Sequence, residues 1–263
     1  MQKVKSRDGT TIAFESSGSG PAVILVGGAL SGRSAAAPLA KALSEYFTVV
    51  AYDRRGRGDS GDTAPYAVGR EVEDIDALIG AAGGSAFVHG HSSGAALALE
   101  AAAAGLAIPK LALYEPPFIV DDSRPPLSRD YVARLTELVA TGRYGEAVEL
   151  FLTEAVGAPA QAVSQMRSTP AWVSMEGIAR TLLYDQEIMA DNMTGHPLPA
   201  ARWAAVAQPT LVMDGGASPL WLRGAAQAVA ASLRNAKYRT LEGQTHGTAP
   251  AVVAPVLVEF FKA

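Results

Sequence analysis

Ser92 stands at the centre of Gly90-His91-Ser92-Ser93-Gly94, a Gly-x-Ser-x-Gly run entered from the β-rich residues Ala86 to His89 and left through the helical stretch that begins at Ala95. That setting points to nucleophilic chemistry, because a serine at a sharp strand-to-helix turn is held out above the sheet edge. Glycines two residues to either side remove the side chains that would collide there. The helix behind the serine aims its N–H groups and positive dipole end at the same spot, which favours a developing oxyanion. The plain alternative is a glycine-rich turn with an idle serine. The chain has no cysteine, which excludes a thiol nucleophile, a disulfide framework and thiolate metal sites. Proton transfer therefore falls to four histidines, His89, His91, His196 and His246.

The elements that must position these residues are legible as short β-rich runs at 22–26, 47–52, 86–89, 111–114, 210–213 and 237–241, alternating with alanine-rich helical stretches. Such alternation is the signature of βαβ units and predicts an α/β fold, a mainly parallel sheet flanked by helices. From about Pro116 to Pro209 the strand signals stop. Amphipathic helix follows, broken at Pro125-Pro126, Gly142, Gly157-Ala158-Pro159, Pro170 and His196-Pro197. The expected organisation is a core formed by residues 1–118 and 202–263, with a helical lid insertion at 119–201.

Composition narrows the partners. With 22 basic and 26 acidic residues the 263-residue chain carries a net charge of −4, so it offers no broad positive face for nucleic acid or anionic lipid. The N-terminus turns at Asp8-Gly9 and has no apolar core, so it reads as a hairpin and not an export signal. The most apolar helical run, Ala95 to Ile108, is interrupted by Glu100 and too short to span a bilayer. A cytoplasmic protein without membrane or nucleic-acid partners is expected, and its oligomeric state is not legible.

The elbow and three further segments together resemble the α/β-hydrolase superfamily, over nearly the whole chain. Val23-Ile24-Leu25-Val26-Gly27-Gly28-Ala29-Leu30 is similar to that superfamily's third strand and oxyanion loop. Asp53-Arg54-Arg55-Gly56-Arg57-Gly58-Asp59-Ser60 is similar to its D-x-R-G-x-G-x-S turn, and Leu241-Glu242-Gly243-Gln244-Thr245-His246 places a histidine just past the last strand. The resemblance implies Ser92 as nucleophile, His246 as the base that takes its proton, and the backbone N–H groups of Ala29 and Ser93 as the oxyanion hole.

The orienting acid departs from the pattern. In Met213-Asp214-Gly215-Gly216-Ala217-Ser218-Pro219 the position that usually carries the acid is Ser218. Two substitutes keep the chain order. Glu115, in Tyr114-Glu115-Pro116-Pro117, lies at a strand tip from which some lipases of the superfamily supply their acid. Asp214 closes the next strand itself. Glu115 is preferred, with Asp214 and the absence of any acid as the alternatives.

Other residues carry weaker signals. His91 flanks the nucleophile and Trp221 follows the vacant acid position, so both are assigned to substrate binding. His89 is expected to be buried and hydrogen-bonded, and His196 to lie on the surface. His89-Gly90-His91 has the look of a metal pair, but no third ligand accompanies it, and no metal is assigned. Gly56-Arg57-Gly58-Asp59-Ser60-Gly61 fits G-x-G-x-x-G formally. No helix follows it to receive a pyrophosphate, so its arginines read as a solvated or salt-bridged turn. Apolar residues of the insertion, Phe118, Phe151, Trp172, Met175 and Met189 among them, are mostly core, and any excess would make the pocket apolar. The functional expectation is a serine hydrolase that cleaves a small, apolar carboxylic ester or lactone through an acyl-enzyme, with no cofactor. Its rivals are a non-hydrolytic enzyme on the same scaffold (a lyase, cyclase or C–C bond hydrolase), motivated by Ser218, and a ligand-binding protein without strong catalysis.

Overall fold

The chain is described by a computed structural model for residues 1–199 and 201–263; Ala200, within the expected insertion, lies outside the described residues. Strands β1 (Gln2–Lys5) and β2 (Thr11–Ser17) form the expected hairpin, in which Gly9 takes a φ of 85° and Asp8 accepts the Thr10 N–H at 2.9 Å. Six further strands follow: β3 (Ala22–Val26), β4 (Thr48–Tyr52), β5 (Phe87–His91), β6 (Leu111–Tyr114), β7 (Thr210–Gly215) and β8 (Ala236–Leu241). They join one eight-stranded sheet in the order β1-β2-β4-β3-β5-β6-β7-β8. The β1/β2 and β2/β4 pairs are antiparallel and the other five pairs parallel.

The residue types explain the placement. Strands β3, β6 and β7 are buried along their whole length; β3 and β6 read as unbroken apolar runs, as parallel strands covered on both faces must, while β7 carries Asp214 after its apolar stretch. The edge strand β8 presents Lys237 and Arg239 to solvent, charges that discourage pairing with another chain. Helices α1 (Arg33–Leu43) and α10 (Pro250–Lys262) cover one face, where Val23, Leu25, Leu43, Met213 and Leu257 form a core. On the other face lie α2 (Val68–Ala81), α3 (Ser93–Ala103) and α9 (Leu220–Ser232), around Ile24, Ile75, Leu97, Leu113 and Val229. Helix α3 is buried nearly all round. Its alanines, Ala95, Ala96 and Ala98, leave no bulk to hold it off the sheet.

Between β6 and β7 the described residues contain only helix and loop: α4 (Tyr131–Ala140), α5 (Tyr144–Leu150), α6 (Ala160–Met166), α7 (Pro170–Ile178) and α8 (Leu182–Met189). Helix α5 runs on into a wide π-helical turn at Phe151–Ala155. This segment has a small core of its own, built on Tyr131, Leu135, Val148, Trp172 and Leu182, and Ala29 and Leu30 of the loop after β3 pack against it. Phe118 and Met189, in contrast, belong to the sheet core. No helix among the described residues is long and apolar enough to cross a membrane.

Candidate active site

The serine turn is built by close packing. The Ser92 N–H is fixed by the Tyr114 carbonyl at 2.9 Å, and Ser92 itself is forced to φ 58° and ψ −128° before α3 begins. A positive φ at a non-glycine residue is costly and persists only where the surroundings impose it. They do so here: a Cβ on Gly94 would sit 2.3 Å from the Val26 carbonyl oxygen, and one on Gly90 would sit 2.6 Å from Ala95 Cα. The loop after β3 approaches just as closely, since a Cβ on Gly28 would meet Ser92 Cβ at 2.8 Å.

His246 reaches this serine from the loop after β8. Its Nε2 lies 3.0 Å from Ser92 Oγ and its Nδ1 2.7 Å from Glu115 Oε2. Because an ionised carboxylate only accepts, Nδ1 carries the hydrogen and Nε2 offers its lone pair to the serine hydroxyl. Two side chains hold the histidine loop by consecutive carbonyls: Tyr114 Oη donates to Thr245 O at 2.6 Å and His91 Nε2 donates to His246 O at 2.7 Å. Gly215 leaves room for that loop, since a Cβ there would lie 2.3 Å from the Gln244 carbonyl oxygen.

Glu115 is fully buried at the tip of β6, with φ 45°. Its second oxygen accepts the Gly215 N–H at 2.7 Å. Burial alone would raise its pKa. The His246 bond, the neighbouring Ser218 hydroxyl and the Gly215 N–H outweigh that and hold the carboxyl below the usual range. Ser218 is buried beside this carboxylate, although its hydroxyl has no close hydrogen-bond partner among the described residues. The alternative acid, Asp214, is turned elsewhere. One of its oxygens accepts Tyr238 Oη at 2.6 Å and Arg223 Nε at 3.1 Å, the other has no partner among the described residues, and neither is bonded to His246. As the last-but-one residue of β7, its side chain follows the strand's alternation toward β8 and α9.

The residues expected to donate to an oxyanion flank the serine. Ala29 lines both cavities that open at Ser92, and Ser93 is the first residue of α3. Among the described residues, neither N–H donates to a protein acceptor. Leu30, next along, is held at φ 54°.

Behind this loop the arginine turn takes the second of the two forms expected of it. It is salt-bridged but not solvated: Arg54, Arg55 and Arg57 are all buried. Arg54 pairs with Glu71 and with Asp185 of α8, each at 2.7 Å; Arg55 pairs with Asp74 at 2.7 Å; Arg57 pairs with Asp185 at 2.7 Å. Buried guanidinium groups need such partners because removing one leaves an uncompensated charge. Glu71 and Asp74 lie one helical turn apart on α2, a spacing that could have flagged them, but nothing local links the arginines to Asp185, more than 120 residues away.

The larger of the two cavities measures about 470 Å³ and the smaller about 170 Å³; Ser92, His246, Ala29, Phe151 and Val156 line both. The smaller is walled by Leu182, Met189, Met193 and Trp221. Trp221, assigned to substrate binding, therefore borders it, with the Arg124 guanidinium 4.5 Å from its ring centre. His91 borders the larger cavity, but its polar Nε2 is committed to the histidine loop. Burial pushes the His91 pKa down to about 4 and that of His89 to about 3. His89 is buried as expected, yet its Nδ1 has no hydrogen-bond partner among the described residues. His196 is exposed.

Comparison with known proteins agrees with this architecture. Residues 22–256 match the model of a family described as the alpha/beta hydrolase family. Among solved structures, an alpha/beta hydrolase from Sphaerobacter thermophilus is 60% identical, with 99% of this chain and 100% of that chain covered and a TM-score of 0.94. An enol-lactonase from Burkholderia xenovorans is 20% identical, covers 100% of both chains and gives a TM-score of 0.73. An esterase from Exiguobacterium antarcticum, also 20% identical, covers 100% of this chain and 99% of its own and gives 0.73. At 20% identity these two likenesses concern the fold. The family match spans the serine turn, Glu115 and His246 alike, and the Sphaerobacter hydrolase aligns end to end, so the chain belongs to the alpha/beta hydrolase family.

Proposed function

We propose that the protein is a serine hydrolase that cleaves a small, uncharged carboxylic ester or lactone through an acyl-enzyme. The observation that carries this reading is the unbroken run from Ser92 Oγ to His246 Nε2, 3.0 Å, and from His246 Nδ1 to Glu115 Oε2, 2.7 Å. A serine hydroxyl is a weak nucleophile until a base takes its proton, and a histidine so held is placed to take it. As Ser92 Oγ adds to the carbonyl carbon, its proton passes to His246 and the carbonyl π electrons move onto oxygen. The Ala29 and Ser93 N–H groups receive that oxyanion. Collapse expels the alkoxide, which His246 protonates. Water then repeats the sequence on the acyl-serine. Glu115 keeps Nδ1–H directed at itself throughout and stabilises the imidazolium.

The apolar walls of the smaller cavity and the pairing of the arginines that border the larger one favour an uncharged substrate. The segment 119–201 serves as the lid over Ser92. Proteins of the same fold named as an esterase and an enol-lactonase fit an ester or lactone reading. The serine at 218, which motivated a non-hydrolytic reading, loses that force once Glu115 is at the histidine. Exposure to a fluorophosphonate followed by peptide mass spectrometry is expected to give a single adduct on Ser92 that disappears in His246→Ala. Hydrolysis of p-nitrophenyl acetate is expected to vanish in Ser92→Ala; an unchanged rate in that variant refutes the proposal.

A further inference from the structure

We propose that Arg57, held by Asp185 of α8, is a positioning residue that orients the Gly28–Ala29 peptide so that the Ala29 N–H meets the oxyanion. The inference rests on the serine-hydrolase reading above. The carbonyl of Gly28 and the N–H of Ala29 belong to one planar trans peptide and point in opposite directions, so whatever fixes the carbonyl also aims the N–H. Arg57 Nη1 donates to Gly28 O at 2.6 Å and Ser31 Oγ donates to the same oxygen at 2.7 Å. Both lone pairs are thereby engaged, one by a charged donor. Donation onto the carbonyl also polarises the peptide and makes its N–H a stronger donor.

Arg57 is itself fixed at three corners. Nη2 pairs with Asp185 Oδ2 at 2.7 Å, Nε donates to Thr181 Oγ1 at 3.0 Å, and Nη1 is spent on Gly28. The other oxygen of Asp185 accepts Ser93 Oγ at 2.7 Å and Arg54 Nη1 at 2.7 Å. A single buried carboxylate from the helical insertion is thus bonded directly to the Ser93 side chain and, through Arg57, linked to the Gly28–Ala29 peptide. A salt bridge that served only to join α8 to the sheet would not need its arginine on the Gly28 carbonyl, nor its carboxylate on the Ser93 hydroxyl.

The test uses Asp185→Asn, Arg57→Lys and the double variant Arg57→Met/Asp185→Met in the full chain. The double variant removes one charge of each sign and leaves Arg54 paired with Glu71. Two ligands separate the possibilities. When Ser92 Oγ adds to the carbonyl carbon of an aliphatic trifluoromethyl ketone, its proton passes to His246 and the carbonyl π electrons move onto oxygen, so the adduct requires the oxyanion donors; the matching secondary alcohol fills the same space without an oxyanion. Removing a whole oxyanion donor costs about 100- to 1000-fold in kcat, so misaiming one is expected to cost roughly 10- to 100-fold. That loss is expected in ketone affinity and in kcat alike, with alcohol affinity and KM changed less than about threefold. Equal weakening of both ligands, or no change in either, in variants that melt cooperatively overturns the proposal. Should the buried variants fail to fold, Ser31→Ala decides, because it removes the second donor on the same carbonyl from a half-buried position. A loss confined to the ketone supports the inference, and an equal loss or none overturns it. Failure of wild-type Ser92 to take a fluorophosphonate would instead sink the hydrolase reading and this inference with it.

Discussion

Glu115 combines an unfavourable backbone, φ 45°, with a fully buried carboxylate whose two oxygens are spent on His246 and on the Gly215 N–H. Strain and burial of that kind are tolerated where the surroundings impose them, and they concentrate at functional sites. On the reading proposed above, Glu115→Gln keeps the volume but offers an amide where His246 needs an acceptor. Turnover of an ester substrate is expected to fall by about 10³- to 10⁴-fold. Asp214→Asn, whose carboxylate is bound to Arg223 and Tyr238, is expected to leave kcat within a few fold. Steady-state kinetics on the two purified variants distinguishes them, and a reversed pattern would move the orienting role to Asp214.

At the scale of elements, the serine turn depends on how closely α3 lies against the end of β3. No side chain fits at Gly94, where a Cβ would meet the Val26 and Gly27 carbonyl oxygens at 2.3 and 2.6 Å. These are backbone atoms and cannot rotate away, so Gly94→Ala must push α3 off the sheet. Overpacking of this kind costs about 1–3 kcal/mol, and urea unfolding is expected to show it as a lower midpoint at unchanged slope. Because the same shift carries Ser92 and Ser93 away from Ala29, fluorophosphonate labelling is expected to slow by more than tenfold in the folded variant. A destabilised variant that labels at the wild-type rate would show that the helix can move without the site.

At the scale of the whole molecule, two buried histidines near the site couple stability to pH. His89 and His91 have pKa values pushed down to about 3 and about 4, whereas the unfolded chain titrates them near 6.5. Below pH 6.5 the unfolded state therefore binds more protons than the folded one, and stability falls as pH falls, through pH 4 for His91 and on toward pH 3 for His89. The depressed carboxyls of Glu115 and Asp185 add a loss of the same sign at lower pH. Urea midpoints are expected to hold between pH 8 and pH 7 and to drop steadily from about pH 6.5 to pH 5. A midpoint that stays level over that acid range would mean that both rings take up their protons in the folded protein as readily as in the unfolded chain.

The α/β class and the strand positions were legible in the sequence because period and burial leave local marks. Parallel strands covered on both faces must be apolar throughout, and β3 and β6 occupy the very runs, 22–26 and 111–114, that the residue types single out. Ser92 stood out through its Gly-x-Ser-x-Gly setting and His246 through a family resemblance, and the fold brings the two side chains to 3.0 Å. For the acid the sequence prefers Glu115, with Asp214 or no acid at all as the alternatives. Both carboxylates close adjacent strands, and what separates them is which way each side chain leaves its strand, a matter of pleat and register that the tertiary structure decides. The arginine turn shows the same boundary more sharply. Its charges read as a solvated or salt-bridged turn, with no indication of burial. In the fold they are buried because Glu71, Asp74 and Asp185 converge on them, and Asp185 lies on a helix that the chain reaches only after passing through β5 and β6. Periodicity reports what each residue must bury, while the partner of a buried charge is fixed by long-range packing that no local run encodes.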